Sequence, residues 1–388
     1  MHFGIVTTSY PRFAEDSAGE FVRGLCRYLS ELGHRITVVC AGDGVNYAEA
    51  QTDHFRVVRI ASPLFYRGGA PDTLATGLKN EPIQTAFRVG SFSAKLLLSI
   101  YKELSACDLL ISHWLIPCSF LATWVLRNRP HVAIAHSSDV YWLRRLGLTR
   151  GARRLAQTAQ VVYVAPHLVM DRVPGIVVPM GIFVRDFDAT PAERTEAKRQ
   201  LGLSLPTALF LGRLVPIKGL FVLLAAFEKL LSWVRAELAI VGDGPLAAKL
   251  GQVAAKRKLP VRFVGPVAGK QKKLWLAGTD LLVLPSLCLP DGRTEGTPVV
   301  LWEAMAAGLP IVAARSGGIE TQLGDAGLLV PPGDAQALAR AMAALLLQPA
   351  RAAHLRELGR QRAATADWSH IAPRLLPQHG LPQTNRQP

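Results

Sequence analysis

The chain has 388 residues, enough for two α/β domains, and its 49% hydrophobic and 19% charged residues exclude a largely disordered protein. Its formal charge of +15 suits phosphorylated substrates, an anionic membrane surface or solvated basic faces, and without a nucleic-acid-binding motif it predicts no nucleic-acid partner. The five cysteines include no CxxC pair, which argues against zinc and disulfide scaffolds and suits a reducing cytoplasm.

Apolar runs of strand length alternate with amphipathic segments in the first half of the chain. Strands are predicted at 3–6, 36–40, 109–112, 132–135 and 161–164. The stretch 109–126 contains no Asp, Glu, Lys or Arg, but His113 and Pro117 interrupt it. It therefore predicts a strand, a turn and a buried helix rather than a membrane span. Continuous apolar strands between helices indicate a parallel sheet covered on both faces.

The same pattern restarts after a linker near 180–190 and a polar helix at 191–200. Further strands are predicted at 208–211, 238–241, 281–284 and 311–314. We therefore predict an α/β protein with two doubly wound domains, 1–182 and 183–350, followed by a helix and a polar tail at 351–388. Because such sheets bind ligands at the carboxyl ends of their strands, the two domains are expected to face each other across a cleft.

Two glutamates eight positions apart flank a predicted helix start in the second domain. Glu295 lies in a loop, and Glu303 lies about one and a half turns into a helix expected to begin at Pro298. The N–H groups of the helix start lie between them and favour an anion. Each carboxylate could contact one end of an extended ligand, although two solvated glutamates on a surface helix would show the same spacing.

A second motif follows the strand at 208–211. Arg213 and Lys218 flank a tight turn at the carboxyl end of this strand, where two cations suit a diphosphate. The glycine spacing excludes a Walker loop. Basic residues are also common in solvated strand–helix turns, so this motif alone does not distinguish a diphosphate site from a solvated turn.

Two other patterns are not interpreted as cofactor sites. The run 186–188 contains the Asp-x-Asp spacing of a metal motif, but it lies in the linker rather than at the end of an apolar strand. The run 242–244 begins like a dinucleotide fingerprint but lacks the third glycine and the downstream acid. We therefore expect neither a metal nor a bound cofactor.

Together these segments resemble the retaining glycosyltransferases of family 4, which have the GT-B fold. The resemblance is strongest from Pro285-Ser286 through Asp291-Gly292-Arg293-Thr294-Glu295-Gly296 to Glu303-Ala304-Met305-Ala306-Ala307-Gly308, and it continues at 317–320, 241–245 and 263–265. It covers about residues 1–370. It implies two Rossmann-like domains with a C-terminal helix that returns to the N-terminal domain.

The resemblance also implies roles in donor binding. Arg213 and Lys218 would hold the diphosphate, Glu295 would contact hydroxyls of the donor sugar, and Glu303 would hold the ribose. The loop at Val264 and Gly265 would lie against the base. The other positions implied on the donor side are Gly19, Gly212, Gly242, Gly296, Thr297 and Pro298.

The acceptor side is matched more loosely, through Ala135-His136-Ser137-Ser138-Asp139. The resemblance places His136 beside the reacting sugar, with His113 and Asp139 as further acceptor-side candidates. A histidine at a strand end is, however, more often structural than catalytic. Departures from the family pattern at Ser137, Ile217, Phe221 and in the linker 179–183 leave the substrate open.

The resemblance implies transfer of a hexose-type sugar, with retention and without a metal, from a UDP- or GDP-sugar to a hydroxyl of a glycan or lipid-linked acceptor. The nucleotide sugar would be a co-substrate rather than a cofactor. The run 291–296, with 10–12 and 66–69, looks most similar to bacterial surface-polysaccharide enzymes. The alternatives are a sugar-nucleotide epimerase of similar architecture and a non-catalytic protein that binds anionic membranes.

The segment 140–170 is basic and carries no acidic residue. Its charges and apolar side chains are Arg144, Arg145, Arg150, Arg153 and Arg154, with Tyr141, Trp142, Leu143, Leu146 and Leu148 among them. This composition predicts attachment to the headgroup layer of an anionic membrane, at the inner face of the cell membrane, with a solvated helix face as the alternative.

Overall fold

The structure, a computed structural model, describes residues 1–13, 16, 18–45, 52–62, 77 and 79–376. The chain forms two compact units: Met1–Gly181 together with the segment from Trp368 onward, and Ile182–Asp367. Each is a doubly wound α/β unit, as predicted. Among the residues described, we find no helix with both the length and the apolar character needed to cross a bilayer.

The first unit is built, within its described residues, on a seven-stranded parallel sheet in the order β3-β2-β1-β4-β5-β6-β7. Its strands are β1 (His2–Thr7), β2 (Arg35–Gly42), β3 (Phe55–Ala61), β4 (Leu109–His113), β5 (His131–Ala135), β6 (Gln160–Tyr163) and β7 (Ile176–Val177). β4 and β5 are buried along their whole length because helices cover both faces. The strand order reverses between β1 and β4, where such sheets bind ligands.

The helices described for this unit connect the strands. They are α1 (Glu20–Glu31), α2 (Pro82–Leu104), α3 (Phe120–Val125), α4 (Ser137–Arg145) and α5 (Thr149–Leu155). The uncharged stretch 109–126 forms β4, a tight turn at Leu115–Ser119 and α3, as predicted. α2 and α3 share one buried cluster with β1, β2 and β4, so both helices lie on the same face of the sheet.

The second unit contains, in the described chain, a six-stranded parallel sheet in the order β10-β9-β8-β11-β12-β13. Its strands are β8 (Thr207–Leu211), β9 (Glu237–Val241), β10 (Val261–Gly265), β11 (Leu281–Leu284), β12 (Ile311–Ala314) and β13 (Leu328–Val330). Its helices are α6 (Pro191–Gln200), α7 (Leu220–Leu230), α8 (Ala247–Lys256), α9 (Gly269–Gly278), α10 (Val299–Ala306), α11 (Ile319–Leu323), α12 (Ala335–Leu347) and α13 (Pro349–Ala364). The strand order reverses between β8 and β11, which places the loops after these strands at the ligand-binding edge.

The C-terminal segment differs in detail from the single helix expected near 350–376. It forms α13, which packs against α10 in the second unit, and then α14 (Trp368–Leu375), which belongs to the first unit. Trp368 is fully buried, and a Cβ added to Gly24 or to Gly181 would lie 2.7 Å from its indole ring. The second unit therefore extends to Asp367, because α13 packs against α10, and the predicted return of the C-terminal helix to the first unit is confirmed.

Candidate functional site

The loops at the carboxyl ends of β8 and β9 are joined by main-chain hydrogen bonds. The N–H of Gly212 donates to the carbonyl of Val241 (3.0 Å), and the N–H of Leu214 donates to that of Asp243 (2.9 Å). A Cβ on Gly242, whose φ is 137°, would lie 1.9 Å from the carbonyl oxygen of Gly212. Only glycine permits this approach, so the backbone around Arg213 is fixed by contact with its neighbour.

Lys218 and Glu295 form an ion pair at this edge. The Lys218 Nζ lies 2.6 Å from Glu295 Oε1, and the side chains are 16% and 10% exposed. The hydroxyl of Ser286 donates to the same carboxylate oxygen at 3.2 Å. Lys218 ends the turn after β8 and Glu295 lies in the loop after β11, so two segments distant in sequence meet. This burial excludes the solvated-surface alternative for both residues.

Glu303 lies one helix turn into α10 and pairs with a residue that sequence reasoning missed. Its Oε1 lies 2.7 Å from Nζ of Lys272 on α9, and both side chains are 6% exposed. Lys272 also lies over the ring of Phe187, 5.6 Å from its centroid. The available signal was the spacing of Lys272 with the buried Trp275 and Leu276, which places the lysine on the inner face of α9.

The other donor-side positions predicted in the second unit lie in loops at the same edge of its sheet. Pro298 is the residue before α10, which begins at Val299, so the helix starts one residue later than predicted. Gly296 and Thr297 form the partly buried loop between Glu295 and this start. Val264 and Gly265 end β10, and the carbonyl of Gly265 accepts from the N–H of Gly242 at 2.7 Å. Arg213 is exposed in the turn after β8.

Two histidines meet at the carboxyl edge of the first sheet. Nδ1 of His113, the last residue of β4, lies 3.2 Å from Nε2 of His136, which follows β5. The ring centroid of His136 lies 4.7 Å from that of Trp114 and 5.2 Å from that of Phe21. Burial lowers the pKa of His136 to about 3, and burial together with the neighbouring His136 lowers the pKa of His113 far below its ordinary value. Both rings are therefore neutral at physiological pH.

Asp139, in the first turn of α4, is buried and acts on the main chain. Its Oδ2 accepts a hydrogen bond from the N–H of Leu115 at 2.7 Å. Leu115 follows Trp114, whose φ of 67° is uncommon for a residue other than glycine. Burial raises the pKa of Asp139 to about 7, although hydrogen bonds from backbone N–H groups oppose this shift. Asp139 therefore fixes the turn that presents Trp114 to His136.

The start of α1 lies beside these rings. Gly19 has a φ of 72°, and a Cβ there would lie 2.2 Å from the carbonyl oxygen of Ser9. The loop after β1 can therefore rest on the start of α1 only with glycine at this position. Arg12 pairs with Asp16 through Nε at 2.6 Å. Ser17 and the run 66–69 lie outside the described residues.

The linker run 186–188 and the basic segment 140–170 contact protein groups near them. Asp186 pairs with Lys273 and Asp188 with Arg360, each at 3.7 Å. The five arginines of the basic segment are exposed on or beside α4 and α5, together with Leu146 and Leu148. Arg144 and Arg153 also donate to the carbonyls of Val169 and Arg172, at 3.0 and 3.1 Å.

Comparisons with known proteins cover both units. Residues 18–171 match the family model described as Glycosyltransferase Family 4, and residues 205–348 match the one described as Glycosyl transferases group 1. A Bacillus subtilis protein is 28% identical over 362 residues, 87% of each chain, and is named a putative teichuronic acid biosynthesis glycosyltransferase. D-inositol 3-phosphate glycosyltransferase 2 of Catenulispora acidiphila is 31% identical over 304 residues, 68% of each chain. Sucrose-phosphate synthase of Thermosynechococcus elongatus superimposes with a TM-score of 0.76 at 22% identity, over 97% of each chain.

Proposed function

Because the chain belongs to the glycosyltransferases of family 4 (group 1) and has their GT-B fold, we propose that it transfers a hexose-type sugar from a UDP- or GDP-sugar to a hydroxyl group with retention of configuration. The observation that carries this proposal is the pair of buried Lys–Glu contacts at the carboxyl edge of the second sheet. These contacts hold one carboxylate for the sugar and one for the ribose, on either side of the start of α10.

The diphosphate of the donor is assigned to Arg213, Lys218 and the N–H groups of Gly296 and Thr297. When the bond from the anomeric carbon to the phosphate oxygen breaks, its electron pair remains on the departing diphosphate. Fixed cations and N–H dipoles stabilise this charge without reorganisation. One cation at 4 Å contributes about 4 kcal/mol at an effective dielectric constant near 20, so these groups can supply the stabilisation without a metal.

We assign the role of base to an oxygen of the leaving phosphate, which accepts the proton of the acceptor hydroxyl. A general base works best with a pKa near the operating pH, and the pKa of His136 is about 3. His136 is therefore assigned to hydrogen bonding with a sugar hydroxyl rather than to proton abstraction, and the fully buried His113 is assigned to holding the ring of His136. Transfer of the proton to the leaving group on the same face of the sugar accounts for retention.

The acceptor is proposed to be a glycan or lipid-linked hydroxyl in polysaccharide or glycolipid biosynthesis at the cytoplasmic face of the membrane. The Bacillus subtilis relative is named for teichuronic acid biosynthesis, and the Catenulispora acidiphila relative is named a D-inositol 3-phosphate glycosyltransferase. The exposed arginines on α4 and α5 would attract anionic headgroups by about 1 kcal/mol each near the surface.

The test begins with a thermal-shift screen of sugar nucleotides and proceeds to mass spectrometry and NMR of the product formed with an acceptor extract. We expect one stabilising donor, a product heavier by one sugar, and an anomeric configuration equal to that of the donor. Donor incubated alone is the control that separates transfer from epimerisation. A changed sugar or released nucleotide without acceptor would support an epimerase, and an inverted product would overturn retention.

A further inference from the structure

Helix α2 exposes a continuous apolar face. Among the described residues, the most exposed large apolar side chains are Ile83 (84%), Phe87 (77%), Leu98 (66%), Tyr101 (64%) and Trp124 (62%). The first four lie on α2 with spacings of 4, 11 and 3 residues, which places them on one side of the helix. The small exposed residues at 90 and 94 continue the same side.

The opposite side of α2 already packs against the sheet. Phe92, Leu96, Ile100 and Leu104 are buried in the cluster shared with α3. A surface helix with one packed face ordinarily carries polar residues on the other. The second apolar face of α2 is therefore unexplained by folding, and contiguous exposed apolar surface of this kind marks an interaction site.

The border of this face is basic. Arg88, Lys95 and Lys102 are exposed and lie along one flank of the apolar face at helical spacing. Within α2 the acidic residue is Glu103, whose side chain is 9% exposed and pairs with Arg56 at 2.9 Å. Before the helix, the exposed Glu81 lies 3.9 Å from Arg88. The exposed charges within α2 itself are therefore positive, with Lys95 and Lys102 beside the C-terminal part of the apolar face.

The basic segment 140–170 lies next to α2, because α3 contacts both α2 and α5. α3 packs against α2 within the shared buried cluster, and it carries the exposed Trp124. Phe120 at the start of α3 lies against α5, where a Cβ on Gly151 would be 3.3 Å from its ring. α2, α3 and α5 thus form one layer within the first unit. Its outer surface, called here the outer layer, combines the apolar face of α2, Trp124 and the exposed arginines of α5.

We infer that the outer layer binds the boundary between headgroups and acyl chains of an anionic bilayer, with α2 lying in the plane of the membrane. A single straight apolar stripe on a helix of 23 residues suits a planar apolar phase. Tyr101 and Trp124 are the residue types favoured at such a boundary, and the flanking lysines and arginines complement anionic lipids. This inference rests on the proposed function with a lipid-linked acceptor. It assigns membrane attachment to the apolar face of α2 together with the arginines, rather than to the arginines alone.

The test is flotation of the full chain with vesicles of phosphatidylcholine, with or without phosphatidylglycerol, at low and high salt. Donor and acceptor are omitted, so failure here leaves glycosyl transfer untouched. We compare wild type with Ile83→Gln/Phe87→Gln/Leu98→Gln and, as a matched control, with Trp233→Gln/Leu347→Gln, which removes exposed apolar side chains from the second unit. A third variant, Arg150→Gln/Arg154→Gln, retains Arg153 because Arg153 donates to the carbonyl of Arg172.

Wild type and the control are expected to float with the anionic vesicles. The α2 variant should lose binding at least about tenfold at both salt concentrations, whereas the arginine variant should lose mainly the salt-sensitive part. Unchanged melting temperature and nucleoside diphosphate affinity would show that the variants are folded. The inference is overturned if wild type ignores anionic vesicles, or if the α2 variant binds like wild type. It is also overturned if gel filtration shows a lipid-independent oligomer that the α2 substitutions dissociate, because the face would then bind a second copy.

Discussion

The two units hold opposite kinds of side chain at the ligand-binding edges of their sheets. In the second unit, Lys218 pairs with Glu295 and Lys272 with Glu303. In the first unit, His113 and His136 are neutral rings that stack at a centroid distance of 5.5 Å. Buried charges need partners, whereas neutral rings do not, so the two edges suit different parts of a substrate. The charged edge suits a nucleoside diphosphate, and the neutral edge suits sugar hydroxyls.

The largest expected effect comes from removing the cation of the charged edge. Lys218→Ala should reduce turnover by about 10²–10³-fold, because the departing diphosphate loses a fixed cation. Because Lys218 is largely buried against Glu295, a lower melting temperature is also expected. Steady-state kinetics and thermal unfolding measure both effects. Lys229→Ala, at an exposed position on α7, is the control, and wild-type turnover in Lys218→Ala would remove this residue from the site.

The two glutamates should separate nucleotide binding from sugar binding. Glu303→Ala should weaken binding of the nucleoside diphosphate and of the sugar nucleotide alike, by about 1–3 kcal/mol for hydrogen bonds to a charged group. Glu295→Ala should weaken the sugar nucleotide and turnover more than the nucleoside diphosphate. Calorimetry with both ligands tests this division, with Glu228→Ala, in an exposed pair with Arg257, as the control. Equal losses for both variants with both ligands would defeat it.

Lys272 should act through Glu303 rather than on the ligand. In Lys272→Met the buried carboxyl loses its counter-charge and takes up a proton more readily, so it accepts hydrogen bonds from ribose less well. We expect about tenfold weaker nucleoside diphosphate binding near neutral pH, with recovery as the pH rises. Lys272→Arg should restore the affinity, and Lys273→Met, at the exposed neighbouring position, should not change it. A uniform loss at every pH would indicate a purely structural role.

A third buried histidine, His131 at the start of β5, should make the first unit sensitive to acid. Burial lowers the pKa of His131 to about 3, and its ring nitrogens lie 2.7 Å from Ser112 Oγ and 2.9 Å from Thr123 Oγ1. In the unfolded chain His131 binds a proton below about pH 6.5, whereas in the folded protein it stays neutral down to about pH 3. The contribution of the buried neutral ring to the free energy of unfolding is therefore complete above about pH 6.5 and is lost as the pH falls toward 3. The loss is about 1.4 kcal/mol at pH 5.5.

Urea unfolding at pH 8 and pH 5.5 measures this effect. His131→Gln should show a smaller difference between the two pH values than wild type. Asp139 changes the free energy of unfolding in the opposite direction. Its pKa is raised to about 7 in the folded protein, so the stability associated with its protonated form is lost as the pH rises. This contribution is common to wild type and His131→Gln, so it cancels in the comparison. Identical pH dependence in both proteins would contradict a neutral buried His131.

The sequence predicted most of the fold because continuous apolar strands alternate with helices in both units. The Glu295–Glu303 spacing and the Arg213–Lys218 turn also predicted a donor site in the second unit, since the residues of each motif lie close together in the sequence. Pairings between distant segments were not predictable. Lys272 lies in a run with other lysines, and nothing local indicates that it meets Glu303.

The outward face of α2 could not be predicted for a different reason. An apolar helix of this length is ordinarily buried on all sides, and only the structure shows which side chains remain exposed. The position of Asp139 beneath Leu115 was likewise hidden, because it depends on the unusual backbone of Trp114. The sequence thus predicted candidate residues for the chemistry, and the structure showed which side chains they contact.

The contrast between the charged and neutral edges is tested most directly by calorimetry of nucleoside and nucleoside diphosphate binding to Lys218→Ala and His136→Ala, with transfer measured in parallel. We predict that Lys218→Ala loses affinity for the diphosphate but not for the nucleoside. His136→Ala should bind both like wild type and yet transfer sugar slowly. If His136→Ala loses diphosphate affinity while Lys218→Ala retains it, the assignment of the diphosphate to the charged edge is wrong.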